Sequence, residues 1–132
     1  MKTGFVVFAH GSTVESANDA VRAVVVEMAR LGGLEQESTV AAFLEGGKPG
    51  LVDAVRRLRE AGAAKICVVP YFLTTGLHLK RDLPVLIDEC RNRFPGLDVV
   101  VSGPLDGHPA LAKILLDRAI NVAGFGETKV AG

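Results

Sequence analysis

The sequence contains no tryptophan, one tyrosine and six phenylalanines in 132 residues, so its interior has to be filled with aliphatic side chains. Cysteine is scarce: Cys67 and Cys90 stand alone, without a CxxC spacing. That excludes a disulfide framework and a zinc ribbon and predicts two buried free thiols. Neither sign of charge is in excess, because 15 Lys plus Arg balance 15 Asp plus Glu. Without an overall field the protein is not drawn to nucleic acid or to an anionic membrane, and any recognition of charge is local. Long hydrophobic runs are missing too. The apolar stretches reach about half a dozen residues, against the ~20 that a bilayer crossing needs. No basic segment followed by an apolar one opens the chain, so a cytoplasmic protein is expected.

What is present is 48% hydrophobic residues, enough for one domain with a real core and too little chain for two. Four short β-rich runs alternate with four helical patterns. The run GFVVFA at 4–9 is continuously apolar, as in a parallel strand covered on both faces. From Val14 to Leu31 the apolar residues Ala17, Val21, Val24, Val25, Met28 and Leu31 recur at steps of one, three and four, up to Gly32-Gly33. STVAAFL at 38–44 reads as the second strand, and Pro49 opens a helix carrying Leu51, Val55, Leu58 and Ala61. KICVVPYF at 65–72 reads as the third strand, with Pro70 near its end. A helix around 83–94 carries Leu83, Leu86, Ile87, Cys90 and Phe94, and LDVVVS at 97–102 is the fourth strand. Pro109 starts a last helix whose inner face is Leu111, Ile114, Leu115, Ala119 and Val122. Residues 1–123 make the domain, and 124–132 read as a frayed tail.

Strict βαβα alternation with short connections predicts a three-layer α/β domain, a four-stranded parallel sheet flanked by helices. In such sheets ligands bind at the carboxyl ends of the strands, where strand order reverses. The four βα loops read AHGSTVES, LEGGKPG, FLTTGLH and GPLDGHP, and they hold every histidine of the chain, His10, His78 and His108, together with Glu45. Imidazole and carboxylate converging on one edge suit a borderline divalent ion such as Co²⁺, Ni²⁺, Fe²⁺ or Zn²⁺. Two or three protein ligands leave coordination positions open for substrate. Each histidine also has a plainer role: His10 bonded to a nearby carbonyl, His78 and His108 capping helices. Glu45 serves either as a proton acceptor or as a solvated loop residue.

Four ordered blocks then carry a resemblance: AHGS after the first strand, FLE followed by KPGL at 43–51, VVPYFLTTGLHLKRDLP at 68–84, and GPLDGHPAL at 103–111. With these the chain resembles the class II tetrapyrrole chelatases, in their short form, the sirohydrochlorin cobaltochelatases, from about residue 5 to 120. The resemblance implies a chelatase-like fold and insertion of a divalent ion into sirohydrochlorin or a related tetrapyrrole. It implies His10 and His78 as metal ligands, and a homodimer, because longer relatives fuse two such domains around the site. No organic cofactor is expected; Co²⁺ leads as the metal substrate, ahead of Ni²⁺ and Fe²⁺. Either histidine or Glu45 would take a pyrrole proton, so His10, Glu45 and His78 form the expected catalytic set. Ser12, Lys48, Gly76, Lys80 and Arg81 are the expected substrate contacts. The chain departs from the family at Thr13, where arginine is common, and Lys48, Lys80 and Arg81 offer positive charge in its place. Two other readings stay open: a carrier that holds metal or tetrapyrrole without turnover, and a histidine phosphatase, against which Ala9 stands where a phosphate-clamping arginine is needed.

Overall fold

The continuously apolar GFVVFA segment lies inside β1 (Thr3–Ala9), an inner strand with both neighbours parallel to it. The protein is described by a computed structural model over residues 2–74 and 76–124, with the side chains of Leu77 and His78 outside the description; the expected tail from residue 125 onward also lies outside it. After β1 come α1 (Glu15–Gly32), β2 (Thr39–Phe43), α2 (Leu51–Glu60), β3 (Lys65–Tyr71), α3 (Leu77–Arg93), β4 (Asp98–Val101) and α4 (Ala110–Ala123), with one 3-10 turn at Gln36–Ser38. The strand order is β2-β1-β3-β4, all parallel. The chain moves outward from β1 to β2, then returns past β1 to β3, so the order reverses between β1 and β3. Right-handed crossovers then put α1 on one face and α2 with α3 on the other.

The core follows that split. Val6, Phe8, Ile66, Val68 and Val99 point toward α2 and α3, meeting Leu51, Val55, Leu58, Ile87, Cys90 and Phe94. Val7, Ala9, Ala41 and Phe43 point the other way, toward Val25 of α1. Small residues on the strands and aliphatic residues on the helices fill the layers, as the shortage of aromatics requires.

Several local expectations change. The buried stripe of α1 is Asn18, Val25 and Ala29, with Val21 and Met28 half-buried, whereas Val24 and Leu31 are 49% and 73% exposed. A helix with apolar residues at adjacent positions offers two overlapping stripes, and the sheet takes only one. Pro49 does not open α2: Gly50 is the N-cap, and the Pro49 carbonyl instead accepts the Phe43 N–H at 2.9 Å. Helix α3 starts at Leu77, six residues before the expected start, and runs through Pro84; buried Leu79 extends the Leu83–Ile87–Cys90–Phe94 stripe by one turn. Cys90 is buried, but Cys67 is only half-buried. The largest departure is α4. Its expected inner face is not inward: Ile114, Leu115 and Val122 are 54%, 71% and 90% exposed, and the helix buries none of its residues. Periodicity marks an apolar face without saying what covers it.

Candidate functional site

The reversal between β1 and β3 opens the sheet's carboxyl edge between the loop after β1 and the loop after β3. The β1 loop is joined first to its other neighbour, the loop after β2. Ladder bonds continue past the strands, with Leu44 N–H donating to Ala9 O at 2.9 Å and Glu45 N–H to His10 O at 3.0 Å. Two glycines allow the approach. Gly11 has φ +90° and Gly46 φ +72°; a Cβ on Gly11 would strike the Glu45 carbonyl oxygen, and one on Gly46 would stand 2.7 Å from the Ser12 carbonyl carbon. Only glycine tolerates both the dihedral and the space.

Asn18 completes the join. It is 1% exposed, reaching up from the first turn of α1. Its Oδ1 accepts the Ser12 N–H at 3.0 Å, while Nδ2 donates to Ser12 O at 2.8 Å and Gly46 O at 3.2 Å. Ser12 Oγ accepts the Val14 N–H at 3.0 Å, so this expected substrate contact also shapes the turn into α1. The sequence reading missed Asn18; an amide on the stripe facing the core was its available signal.

This framework presents His10 and Glu45 side by side. His10 Nε2 lies 3.3 Å from Glu45 Oε1, with both side chains well exposed. His10 Nδ1 is 3.1 Å from the Gly11 carbonyl oxygen. A carbonyl only accepts, so this contact takes a proton on Nδ1; Nε2 then faces the carboxylate as an acceptor in the neutral ring or as a second donor in the protonated one. In the neutral ring the two electron-pair donors suit a cation between or beside them. Bonds of about 2.1 Å from one ion to an imidazole nitrogen and a carboxylate oxygen, at about 90–109°, hold those atoms roughly 3.0–3.4 Å apart. A proton serves the same pair equally well. Among the described residues no three His, Cys, Asp or Glu side chains gather closely enough to hold a metal.

The remaining expected residues divide between two sides. On one, Lys48 joins Glu15, Arg22, Gly46 and Gly47 around an open cavity of about 550 Å³. Arg22 is committed there: it donates to Glu15, Asp19 and the Lys48 carbonyl oxygen, and its guanidinium lies 5.1 Å from the Phe43 ring centroid. Arg22 first, and the Asn18 amide next, hold the Glu15 carboxyl below its ordinary value. On the other side, Lys80 borders an apolar groove of about 180 Å³ with Pro70, Leu79, Leu83, Pro84, Val101, Ser102 and Pro104. Phe72, edge-on to buried Phe8 with centroids 6.1 Å apart, pins the start of the β3 loop. Gly76 is the N-cap of α3, which places the backbone of His78 in that helix's first turn; the His78 side chain lies outside the described residues. Arg81 is exposed and pairs with Asp82 at 3.4 Å. His108 accepts the Ala110 N–H at 3.0 Å on Nδ1, so its ring caps the start of α4.

Comparison with known proteins adds the following. A family model described as CbiX matches residues 4–122. The sirohydrochlorin cobaltochelatase of Methanopyrus kandleri is 29% identical, over 90% of this chain and 96% of its own. That of Saccharolobus islandicus is 31% identical, over 87% and 91%. Among solved structures, a cobalamin biosynthesis CbiX protein of Marinobacter aquaeolei superposes with a TM-score of 0.76 over 93% of this chain and 98% of its own, at 24% identity. The sirohydrochlorin chelatase SirB of Bacillus subtilis, in complex with cobalt, gives a TM-score of 0.81 at 26% identity. The chain covers 52% of that SirB, which is about twice as long.

Proposed function

The chain belongs to the CbiX family, and from that premise we propose that it inserts a divalent metal ion into sirohydrochlorin or a closely related tetrapyrrole, on the way to cobalamin- or siroheme-type cofactors. The observation that carries the reading is the His10–Glu45 pair, an imidazole nitrogen 3.3 Å from a carboxylate oxygen, exposed at the carboxyl edge of the sheet. Co²⁺ is the first metal, as in the names of the cobaltochelatase relatives. SirB has been crystallised with cobalt and with Fe³⁺, and imidazole with carboxylate does not by itself select among such ions.

In the proposed mechanism the metal is a substrate. His10 Nε2 and His78 hold the incoming ion and leave its other positions to water and then to ring nitrogens. Insertion releases two pyrrole protons; Glu45, beside His10 and open to solvent, takes one, and the His10 imidazole takes the other as the ion leaves it. Holding ion and ring together replaces a slow encounter with a positioned transfer. Lys48 on one side and Lys80 with Arg81 on the other meet the peripheral carboxylates of the ring, doing the work of the missing arginine at Thr13. The Ser12 and Gly76 backbones let the flat ring approach.

The protein works as a homodimer in this reading, because SirB carries about two such lengths in one chain. It works in the cytoplasm, where its two free thiols suit a reducing compartment; among the described residues no helix is long and apolar enough to cross a membrane. Incubating the protein with sirohydrochlorin and Co²⁺, Ni²⁺ or Fe²⁺, and following the ring's absorption, tests the function. Several product molecules per protein are expected with Co²⁺. Product limited to one equivalent would make the protein a carrier and overturn the reading.

A further inference from the structure

The groove beside Lys80 is built from the ends of two strands and the start of one helix. Register pairs Ile66 with Val99 and Val68 with Val101, and Val68 and Val99 belong to the core under α2 and α3. Pro70, two residues past Val68, and Val101 therefore end their strands on the α3 face, where they form the floor. Leu79, Leu83 and Pro84 of α3, with Pro104 of the next loop, form the walls. Three of these six residues are prolines, which bring no backbone N–H, and the other three are aliphatic. The groove is poor in donors and favours apolar contact.

Charge enters at one point. Lys80 lines the groove, and no acidic side chain lines it. The Lys80 backbone is fixed where α3 begins, its N–H bonded to Gly76 O at 3.1 Å. Farther along α3 a second cavity shares Leu83, Pro84 and Val101 but adds Asp88 and Arg91; Arg91 is committed to the Val99 carbonyl oxygen at 2.7 Å. An anionic arm lying in the groove is drawn toward Lys80 and kept away from Asp88.

Place and size decide what part of a ligand fits. Leu79 and Lys80 directly follow His78, whose backbone lies in the same first turn of α3, so the groove opens beside the proposed site. Its volume of about 180 Å³ is below the roughly 300–1,000 Å³ of a site that encloses a whole small molecule. It has room for one edge of a macrocycle and not for the ring. Sirohydrochlorin has an edge of matching chemistry: on each of its reduced pyrrole rings, one saturated carbon carries both a methyl group and an acetate arm. The methyl group fits an apolar floor, and the acetate fits a cation at the rim.

We infer that this groove is the subsite that reads ring methylation: a reduced, methyl-bearing pyrrole edge sits on Pro70, Leu83 and Val101, with its acetate on Lys80. Leu83 and Val101 are then specificity-determining residues, favouring a C-methylated ring over an unmethylated porphyrin with the same carboxylate arms. The inference rests on the chelatase reading for its ligand, and its test measures ring binding without metal, so that the two fail separately.

Equilibrium binding of metal-free rings, followed by their own fluorescence, is the experiment. The probes are sirohydrochlorin and uroporphyrin III, which carries the same acetate and propionate arms on a flat ring without the methyl groups. Val101 is 39% exposed and Lys80 is exposed, so Val101→Ser and Lys80→Gln are expected to keep the wild-type circular dichroism spectrum. Wild type should bind sirohydrochlorin at least about tenfold more tightly than uroporphyrin III, the low end of what a methyl group is worth in an apolar site. Val101→Ser should cut that ratio by at least about threefold and leave Co²⁺ affinity unchanged. Lys80→Gln should weaken binding of both rings by similar factors, because the arms are common to both. Equal binding of the two rings by wild type, an unchanged ratio in Val101→Ser, wild-type binding by Lys80→Gln, or a wild type that binds neither ring would each overturn the inference. If the preference is present in wild type and lost in Val101→Ser while no Co²⁺ is inserted, the groove stands and the chelatase reading falls.

Discussion

The buried Asn18 side chain and the Ser12 backbone hold each other twice, amide to carbonyl and N–H to amide oxygen, at 2.8 and 3.0 Å. The same amide nitrogen also reaches Gly46 O at 3.2 Å, so one side chain fixes the spacing of the two loops that present His10 and Glu45. Asn18 touches neither the proposed metal nor the proposed ring; it acts by position.

Asn18→Ala leaves the Ser12 and Gly46 groups without their partner, at a cost of roughly 2 kcal/mol for part-buried polar groups. Asn18→Asp is expected to be worse for the site, because it turns an oxygen toward two carbonyl oxygens. Thermal unfolding should show both variants folded with a lowered midpoint. Co²⁺ affinity at saturating protein should fall in both, since His10 and Glu45 lose their fixed spacing. An Asn18→Ala protein with the wild-type midpoint would remove the joining role.

Gly11 separates backbone constraint from plain flexibility. With φ +90° and the Glu45 backbone in the path of any Cβ, Gly11→Ala has to push apart the two loops. Gly103→Ala meets nothing within 4 Å and serves as the control. The expected pattern is a loss of metal binding and of stability at Gly11, and no more than a few tenths of a kcal/mol at Gly103. Equal behaviour of the two variants in calorimetry and Co²⁺ titration would show that the close approach does not matter.

Much of this was legible in the sequence, and the gaps have physical reasons. The continuous apolar runs and the βα alternation gave the parallel sheet, and because strand order places the β1 loop next to the β2 loop, His10 and Glu45 meet as two adjacent loop residues should. Asn18 was missed because a polar residue on a helix reads as solvent-facing until the loop above it is known. The first turns of α3 were hidden by Pro84, which usually marks a helix boundary but here lies inside one. The expected inner face of α4 is exposed, because an apolar stripe carries no label for what covers it.

The histidines should separate by role. His10→Ala removes the imidazole that faces Glu45, and with it at least roughly tenfold of Co²⁺ affinity and insertion rate; His78→Ala should match it if both ligate the ion as proposed. Glu45→Gln keeps the shape but not the charge, and it should slow insertion more than it weakens metal binding. His108→Ala loses a cap worth about 1 kcal/mol and should leave insertion intact. The checks are initial insertion rates, Co²⁺ titrations and circular dichroism. His108→Ala abolishing metal binding while His10→Ala spares it would reverse the assignment.

Cys90 offers a prediction about stability that is independent of the site. It lies fully buried on α3, and burial, with a smaller push from the Glu89 carboxylate that Arg93 partly offsets, raises its thiol to about 11. The folded state therefore keeps a proton that the unfolded chain releases near pH 8.5, the ordinary thiol value. By linkage, the stability from burying the neutral thiol is complete below about 8.5 and is lost as pH climbs toward 11. Urea unfolding at pH 7.5 and pH 10 should show wild type losing more stability than Cys90→Ala across that interval, even though the variant starts lower because of the cavity it creates. Comparing the two proteins cancels every contribution that does not come from Cys90. At pH 8 a thiol reagent should likewise fail to label Cys90 until the chain unfolds, because only the thiolate reacts. Equal alkaline losses in the two proteins, or prompt labelling of native Cys90, would place that thiol in contact with water.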